Sequence, residues 1–141
     1  MDIRQVNATF AVADQITEED LPLLRARGFR TLICNRPDGE VQGQPAAEAL
    51  AARARELGFE WHWIPISSGN FTPDAIRAFE LALAATEQPV LAFCRSGTRS
   101  VTLWALAQSS RQTAAELIAA AARAGYDLSP MAPLFDARFR G

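Results

Sequence analysis

The sequence predicts an α/β fold in which a mainly parallel sheet of four to five strands is flanked by helices. Apolar runs at residues 30–35, 59–66 and 88–93 have the length of buried strands. A helical segment separates each run from the next, and this alternation is typical of βαβ units in a parallel sheet. The chain has 141 residues, an ordinary length for one domain, so we expect a single domain over residues 1–141.

Capping residues and glycines indicate where the first three helices begin and end. The first helix begins near Thr17, whose hydroxyl can cap an acidic first turn, and Gly28 ends it. An alanine-rich helix is predicted over about residues 45–57. Thr72 then caps a third helix that Pro73 opens.

Two further helices follow the apolar run at residues 88–93. One is predicted over about residues 99–109, and the other begins at a capping box made by Thr113 and Glu116. The tail from Ser129 contains two prolines, and we expect it to lie along the surface.

Composition and charge exclude several classes of function. The net charge of −2, without a run of basic residues, excludes a nucleic-acid footprint. No stretch approaches the ~18 apolar residues of a membrane span, so we expect a cytoplasmic protein that does not bind a membrane. The two cysteines have no CxxC partner or histidine cluster, so no disulfide, metal site or cofactor is predicted. The chain contains no lysine, which excludes Schiff-base chemistry.

Cys94 is the strongest candidate for a reactive residue. It lies at the carboxyl end of a predicted strand and directly before a helix, where open α/β sheets bind their ligands. The small residues that follow it allow backbone N–H groups to converge on one anion, and Gly97 suits a positive φ. A cysteine at such a turn is often only a core residue. Two arginines, one glycine and three hydroxyl residues in the next six positions favour a reactive thiol instead.

The surroundings of Cys94 predict that its thiol is ionised at neutral pH. Amide dipoles at a helix N-terminus and nearby arginines both stabilise a thiolate. Arg99 can offer a planar, two-pronged donor to an oxyanion, while Arg95 lies at the rim. The predicted catalytic residues are Cys94 and Arg99, and the predicted anion-binding residues are Arg95, Ser96, Gly97, Thr98 and Ser100.

Four other residues could take part in chemistry, but their contexts favour structural roles. Cys34 lies within an apolar run and is interpreted as a core residue, with a resolving thiol as the alternative. Asp38 lies in a Pro-Asp-Gly turn and Asp74 in the first turn of a helix, and each is an alternative proton donor. His62, between two tryptophans, is interpreted as a packed or surface residue rather than a base.

The cysteine turn is similar to that of known families. Residues 93–100 resemble the active-site loop of single-domain rhodaneses. The whole chain, including residues 11–16, 33–40 and 124–128, resembles a bacterial family of protein-tyrosine-phosphatase-like domains that accompany beta-lactamase-like sulfur dioxygenases. This resemblance implies the architecture of a dual-specificity cysteine phosphatase and a sulfur dioxygenase as partner. Members of that family have been described both as phosphatases and as sulfurtransferases.

Three departures from the phosphatase pattern favour sulfur transfer. Four residues separate Cys94 from Arg99, as in many rhodaneses, whereas tyrosine phosphatases have five. Phosphatases usually place a histidine immediately before the cysteine, and this chain has Phe93. The loop at residues 67–71 also lacks the aspartate that protonates the leaving oxygen in phosphatases.

We therefore predict a sulfurtransferase that moves a sulfane sulfur from thiosulfate or a persulfide, through a persulfide at Cys94, to a thiol or other nucleophile. Its ligands are then a small-molecule sulfur donor and a thiol acceptor. The alternative is a phosphatase that forms a phosphocysteine, and the third candidate is a non-catalytic domain that binds an anion or a partner protein. Asn70 and Phe71 lie beside the predicted pocket and are expected to shape substrate access.

Overall fold

The computed structural model describes residues 1–67 and 69–141. Within this part of the chain, five strands form one sheet. The strands are β1 (Ile3–Asn7), β2 (Phe10–Ala13), β3 (Thr31–Cys34), β4 (Glu60–Trp63) and β5 (Val90–Phe93). Their order in the sheet is β1-β2-β5-β3-β4. Only β1 runs antiparallel to its neighbour, so the predicted mainly parallel sheet is confirmed.

Helices connect and cover these strands. The described residues form α1 (Asp20–Ala26), α2 (Ala47–Glu56), α3 (Pro73–Ala85), α4 (Thr98–Gln108), α5 (Ala114–Arg123) and α6 (Ala132–Arg138), with a short 3-10 turn at Ser129–Met131. Two of the three predicted caps are present: the Ala75 N–H donates to Thr72 Oγ1 at 3.1 Å, and Thr113 and Glu116 form the capping box. The predicted cap at Thr17 is wrong: α1 begins at Asp20 after Glu19, and the Thr17 hydroxyl donates to the Asp20 carboxylate at 3.2 Å instead of accepting a helix N–H. Among these helices, none is both long and apolar enough to span a bilayer.

The hairpin of β1 and β2 was not predicted from the sequence. All four residues of β2 are buried, because the strand lies inside the sheet between β1 and β5. A run this short has no measurable periodicity, so the sequence alone does not distinguish it from a loop. Its position matters for function, because β2 ends next to the end of β5.

Side chains of the central strand separate the core into two layers. Val90 and Ala92 point to the layer covered by α3, α4, α5 and α6, whereas Leu91 and Phe93 point to the layer covered by α1 and α2. In the first layer the ring of Phe10 stacks on Trp104 with centroids 5.6 Å apart. Burial on both faces explains why β5 is a continuous apolar run rather than an alternating one.

The C-terminal tail corrects one expectation. The segment after Ser129 does not simply lie along the surface: it forms α6, and the Phe135 side chain is fully buried. Pro133 is compatible with this helix because it lies in the first turn, where a missing N–H removes no hydrogen bond. The tail thus completes the layer formed by α3, α4 and α5.

Candidate active site

Cys94 lies at the carboxyl edge of the sheet, directly after β5. Its backbone N–H donates to Ala13 O, at the end of β2, at 3.4 Å. On the other side, the Asn35 N–H donates to Phe93 O at 2.8 Å. The end of β5 is therefore fixed by both neighbouring strands, and this determines where the cysteine turn leaves the sheet.

The turn after Cys94 folds back onto the sulfur. The Gly97 N–H donates to Cys94 Sγ at 3.1 Å, and α4 begins at the next residue. Gly97 has φ +90°, the left-handed conformation that glycine adopts without strain. A hydrogen bond that donates to sulfur favours the thiolate over the thiol. The predicted convergence of an amide and a helix N-terminus on Cys94 is thus present.

Tyr126 supports this turn from the side, and sequence reasoning missed it. The Tyr126 hydroxyl donates to Ser96 O at 2.9 Å. A Cβ added to Gly97 would lie 2.2 Å from Tyr126 Oη, so Gly97 is required by this contact as well as by its φ. Burial raises the pKa of Tyr126, so its hydroxyl stays protonated and remains a donor at neutral pH.

Arg99 is held by Glu40, a residue that was not predicted to belong to the site. Arg99 Nη1 donates to Glu40 Oε2 at 2.7 Å, and Arg99 Nη2 donates to Glu40 Oε1 at 2.8 Å. Arg99 Nη1 also donates to Ile66 O at 2.8 Å. These three bonds leave the Nε–H and the second Nη2 hydrogen, which lie side by side on one edge of the guanidinium. That edge keeps the two-pronged geometry expected for binding an oxyanion.

Glu40 also pairs with Arg36, a buried residue with 4% of its surface exposed. Arg36 Nε donates to Glu40 Oε1 at 2.9 Å, and Arg36 Nη1 donates to Gln15 Oε1 at 3.1 Å. A buried guanidinium needs a paired charge and satisfied donors, and these contacts supply both. The hydrogen bond from Arg99, with that from Arg36, lowers the pKa of Glu40 to about 2. Glu40 is therefore ionised at neutral pH.

A cavity of about 480 Å³ opens over this cluster and is lined by Glu40, Gly69, Arg95 and Arg99. The hydrogen bonds to Glu40 raise the pKa of Arg99. Cys94 itself has no exposed surface. A substrate bound in the cavity therefore reaches the sulfur only after a side chain around it moves.

The other predicted anion-binding residues differ in their exposure and in their hydrogen bonds. Arg95 is exposed at the rim of the cavity, as expected. Ser96 Oγ and Thr98 Oγ1 are 3.1 Å apart and bond to each other in this structure. Ser100 is fully buried in α4, and among the described residues its Oγ has no hydrogen-bond partner. Participation of these three hydroxyls in anion binding stays a prediction.

Cys34 lies next to the site but has a different environment. It is 3% exposed at the end of β3, paired in register with Phe93. Its Sγ donates to Arg36 O at 3.6 Å. Burial raises the pKa of Cys34 to about 12, so the thiol is protonated at neutral pH. These observations support the interpretation of Cys34 as a core residue.

The alternative acids and base lie away from the cavity. Asp38 Oδ1 accepts the N–H of Ala47 at 2.8 Å, at the start of α2. Asp74 lies in the first turn of α3, and His62 lies in the edge strand β4 with Nε2 3.6 Å from Glu60 Oε2. None of these three side chains lines the described part of the cavity. Of the predicted access loop at residues 67–71, Ser68 lies outside the described residues.

The missed site residues come from segments far from Cys94 in sequence. Arg36 and Glu40 follow β3, Gln15 follows β2, and Tyr126 follows α5. All four lie within the segments on which the family resemblance rests. Arg36 directly follows a predicted strand, and Glu40 is four positions later. This spacing indicates an ion pair and could have been noted from the sequence. Its connection to Arg99 could not be read from spacing.

Comparison with known sequences identifies the family of the chain. Residues 2–111 match the profile of the phosphatase-like domain of beta-lactamase hydrolase-like proteins. A beta-lactamase hydrolase-like protein of Agrobacterium fabrum (strain C58) is 38% identical over 105 residues, which are 74% of this chain and 24% of that protein. One from Xylella fastidiosa (strain Temecula1) is 35% identical over 130 residues, 91% of this chain and 30% of that protein. The chain thus spans less than a third of these relatives.

Solved structures share the fold. A protein from Neisseria meningitidis Z2491, provisionally named a phosphatase, is 28% identical with a TM-score of 0.85, over 98% of this chain and 99% of that chain. The core catalytic domain of a PP-IP phosphatase from S. cerevisiae is 14% identical with a TM-score of 0.62, over 99% of this chain and 83% of that chain. The latter likeness shows a cysteine-phosphatase-like fold alone. By its sequence match, the chain belongs to the phosphatase-like domain family of beta-lactamase hydrolase-like proteins.

Proposed function

We propose that this domain is a cysteine-dependent phosphatase that hydrolyses phosphate monoesters through a phosphocysteine at Cys94. The observation that carries this proposal is the hydrogen bond from the Gly97 N–H to Cys94 Sγ at 3.1 Å, because it stabilises the nucleophilic thiolate. Arg95 lines the adjacent cavity as an exposed cation, and the free edge of Arg99, whose charge is paired with Glu40, adds two N–H donors for an anionic group. Membership in a phosphatase-like family favours phosphate as that group.

The reaction then has two steps. The Cys94 thiolate attacks phosphorus, an S–P bond forms, and the P–O bond to the leaving group breaks. The free edge of Arg99 and the amides of the turn hold the phosphoryl oxygens while charge develops on them. Water next attacks the phosphocysteine, releasing inorganic phosphate and one proton and restoring the thiolate.

The cavity restricts which leaving groups can depart. Among the described residues that line it, Glu40 is the only carboxylic acid, and its pKa of about 2 keeps it ionised. An ionised carboxylate cannot protonate a departing oxygen. We therefore expect substrates whose leaving group is stable as an anion, such as aryl phosphates, rather than simple alkyl phosphates.

The same restriction supports sulfur transfer as a second candidate. A Cys94 thiolate that attacks the sulfane sulfur of thiosulfate forms one S–S bond, breaks another and expels sulfite, with no need of a proton donor. The four-residue spacing from Cys94 to Arg99 favours this reaction as well. A thiol acceptor then removes the terminal sulfur. A sulfur dioxygenase as partner remains a proposal tied to this second function.

Trapping the covalent intermediate tests the two candidates in one experiment. The protein is mixed with 4-nitrophenyl phosphate or with thiosulfate, quenched in acid, and examined by intact mass and peptide mapping. Phosphatase chemistry predicts one added phosphoryl group on Cys94, and sulfur transfer predicts one added sulfur atom. Cys94→Ser is the negative control, and Cys34→Ala verifies that the modification is not on the second cysteine.

Each outcome decides between the candidates. A phosphocysteine together with catalytic release of nitrophenolate supports the proposal. A persulfide without any phosphoenzyme overturns it in favour of sulfur transfer. If neither adduct forms and no product is released, both enzymatic functions are wrong, and a domain that binds an anion or a partner protein without catalysis is left.

A further inference from the structure

An apolar groove lies beside the cavity of the candidate active site. We use this name for a depression of about 590 Å³ whose apolar lining is Phe71, Ile76, Leu106, Met131 and Leu134. Its size is within the range of small-molecule sites, which are mostly apolar with a few polar groups. The groove is formed by the loop before α3, by α3 and α4, and by the C-terminal segment.

The apolar groove adjoins the active-site cavity. Gly69 lines both of them, so the two volumes are neighbours at this residue. The cavity side is charged, with Arg95 and Arg99, and the groove side is apolar. A ligand that extends past Gly69 therefore places an anionic group in the cavity and a hydrocarbon group in the groove.

The walls of the groove combine a buried floor with an exposed rim. Ile76 and Leu106 are 7% and 1% exposed and form the floor, whereas Leu134 is 47% exposed at the rim. Arg138 also lines the groove, donates to Ser109 Oγ at 2.8 Å and pairs with Glu80 at 3.6 Å. The groove thus offers a buried apolar floor that is reached from an exposed rim.

We infer that the apolar groove binds the hydrocarbon part of the substrate whose oxyanion is held at Arg95 and Arg99. The ligand class is a small amphiphile that joins a phosphate or a sulfur oxyanion to an aryl group, and alkyl phosphates serve as unreactive probes of the same groove. This inference rests on the proposed function, since it assumes that the cavity above Cys94 binds the anion. It makes the groove, rather than the cysteine turn, the region that discriminates between substrates.

Binding without turnover tests this inference. The Cys94→Ser variant is titrated by calorimetry with ethyl, butyl and hexyl phosphate, and with the sulfonates of the same chain lengths. Burial of each added methylene predicts about a two- to fourfold gain in affinity, equal in the two series. The offset between the series identifies the preferred anion. Hexylammonium, which has the tail without the anion, is expected not to bind.

Two variants made in the same background locate the tail. Leu134→Glu places a charge at the rim of the groove, and we expect it to abolish the gain with chain length while leaving the affinity for ethyl phosphate within about twofold. Leu23→Glu changes a leucine that is 58% exposed on α1, in the other layer, and is expected to keep the full gain. Thermal melting of both variants verifies that they fold.

The remaining outcomes would overturn the inference in distinguishable ways. Equal affinity for all chain lengths would show that the groove is not used, although the anion site and the proposed function would stand. A gain that survives Leu134→Glu would place the tail elsewhere. Failure of every anion to bind would contradict the proposed function itself. A dimer that Leu134→Glu dissociates, with no dependence on chain length, would identify a second copy of the chain as the occupant.

Discussion

The two cysteines of this domain occupy neighbouring places with opposite consequences. Both lie at the carboxyl edge of the sheet, at the ends of adjacent parallel strands, and both are buried, with 3% of Cys34 and none of Cys94 exposed. Cys94 Sγ accepts a hydrogen bond from the Gly97 N–H, whereas Cys34 Sγ donates one to Arg36 O. The comparison teaches that burial keeps the proton on Cys34, whereas the proposed nucleophile Cys94 differs from it by accepting a hydrogen bond at sulfur.

The largest effect expected from this comparison is on catalysis. Cys94→Ser should lower turnover of the best substrate by about 10⁴-fold or more, because the nucleophile is removed. Cys34→Ala should leave turnover within a few-fold and instead cost about 1–2 kcal/mol of unfolding free energy, since it leaves a small cavity. Steady-state rates and urea titrations measure the two quantities. Comparable losses of turnover in both variants would show that the two thiols act together.

Alkylation measures the ionisation of the two thiols directly. At pH 7 we expect iodoacetamide to modify Cys94 at least about 100-fold faster than Cys34, because only the thiolate reacts and the pKa of Cys34 is about 12. Peptide mapping over time gives both rates from one sample. As both side chains are buried to a similar degree, the ratio reports mainly ionisation. Equal rates would remove the basis for Cys94 as the nucleophile.

A third prediction concerns the carboxylate that holds Arg99. Glu40→Gln should lower kcat/KM about 10- to 100-fold, because the guanidinium loses its two-pronged partner and with it a fixed orientation. The matched control is Glu48→Gln, which changes an exposed glutamate paired with Arg55 outside the site. We expect the control to retain wild-type kinetics. An unchanged kcat/KM in Glu40→Gln would mean that Arg99 needs no positioning.

The turn after Cys94 can be tested by substituting two glycines that have nearly the same φ. Gly97 has φ +90° and Gly28 has φ +94°, but a Cβ meets Tyr126 only at Gly97 and meets nothing within 4 Å at Gly28. Gly97→Ala should therefore cost about 2 kcal/mol more unfolding free energy than Gly28→Ala. Thermal or urea unfolding provides the difference. Equal costs would show that Tyr126 moves away freely and does not support the turn.

The smallest expected effect is a dependence of stability on pH. The pKa of Glu40 is lowered to about 2 from an ordinary value of 4.5, so its ion pairs contribute fully above pH 4.5 and are lost as the pH falls towards 2. The difference in unfolding free energy between wild type and Glu40→Gln should accordingly shrink between pH 5 and pH 3. Urea titrations at these two values measure it. A constant difference would mean that Glu40 contributes nothing through its charge.

Local signals in the sequence were sufficient for most of the fold. Strands β3 and β5, the cap of α3 at Thr72 and the capping box of α5 all depend on neighbouring residues, and each was predicted near its observed position. The β1–β2 hairpin and α6 were not predicted. Their stability comes from packing against distant elements, as the buried Phe135 shows, and such packing leaves little trace in a short segment.

For the candidate site, the sequence by itself determined the turn around Cys94, the proposed nucleophile, because Cys94 and Gly97 are close in the chain and their contact follows from local geometry. Only the tertiary structure decided how Arg99 is held, which part of its guanidinium stays free, and that Cys34 keeps its proton. The hold on Arg99 depends on Glu40 and Arg36, which the sheet brings to it from another strand, and the proton on Cys34 depends on burial. Charge pairing and desolvation act through space, so they become visible only when the chain is folded.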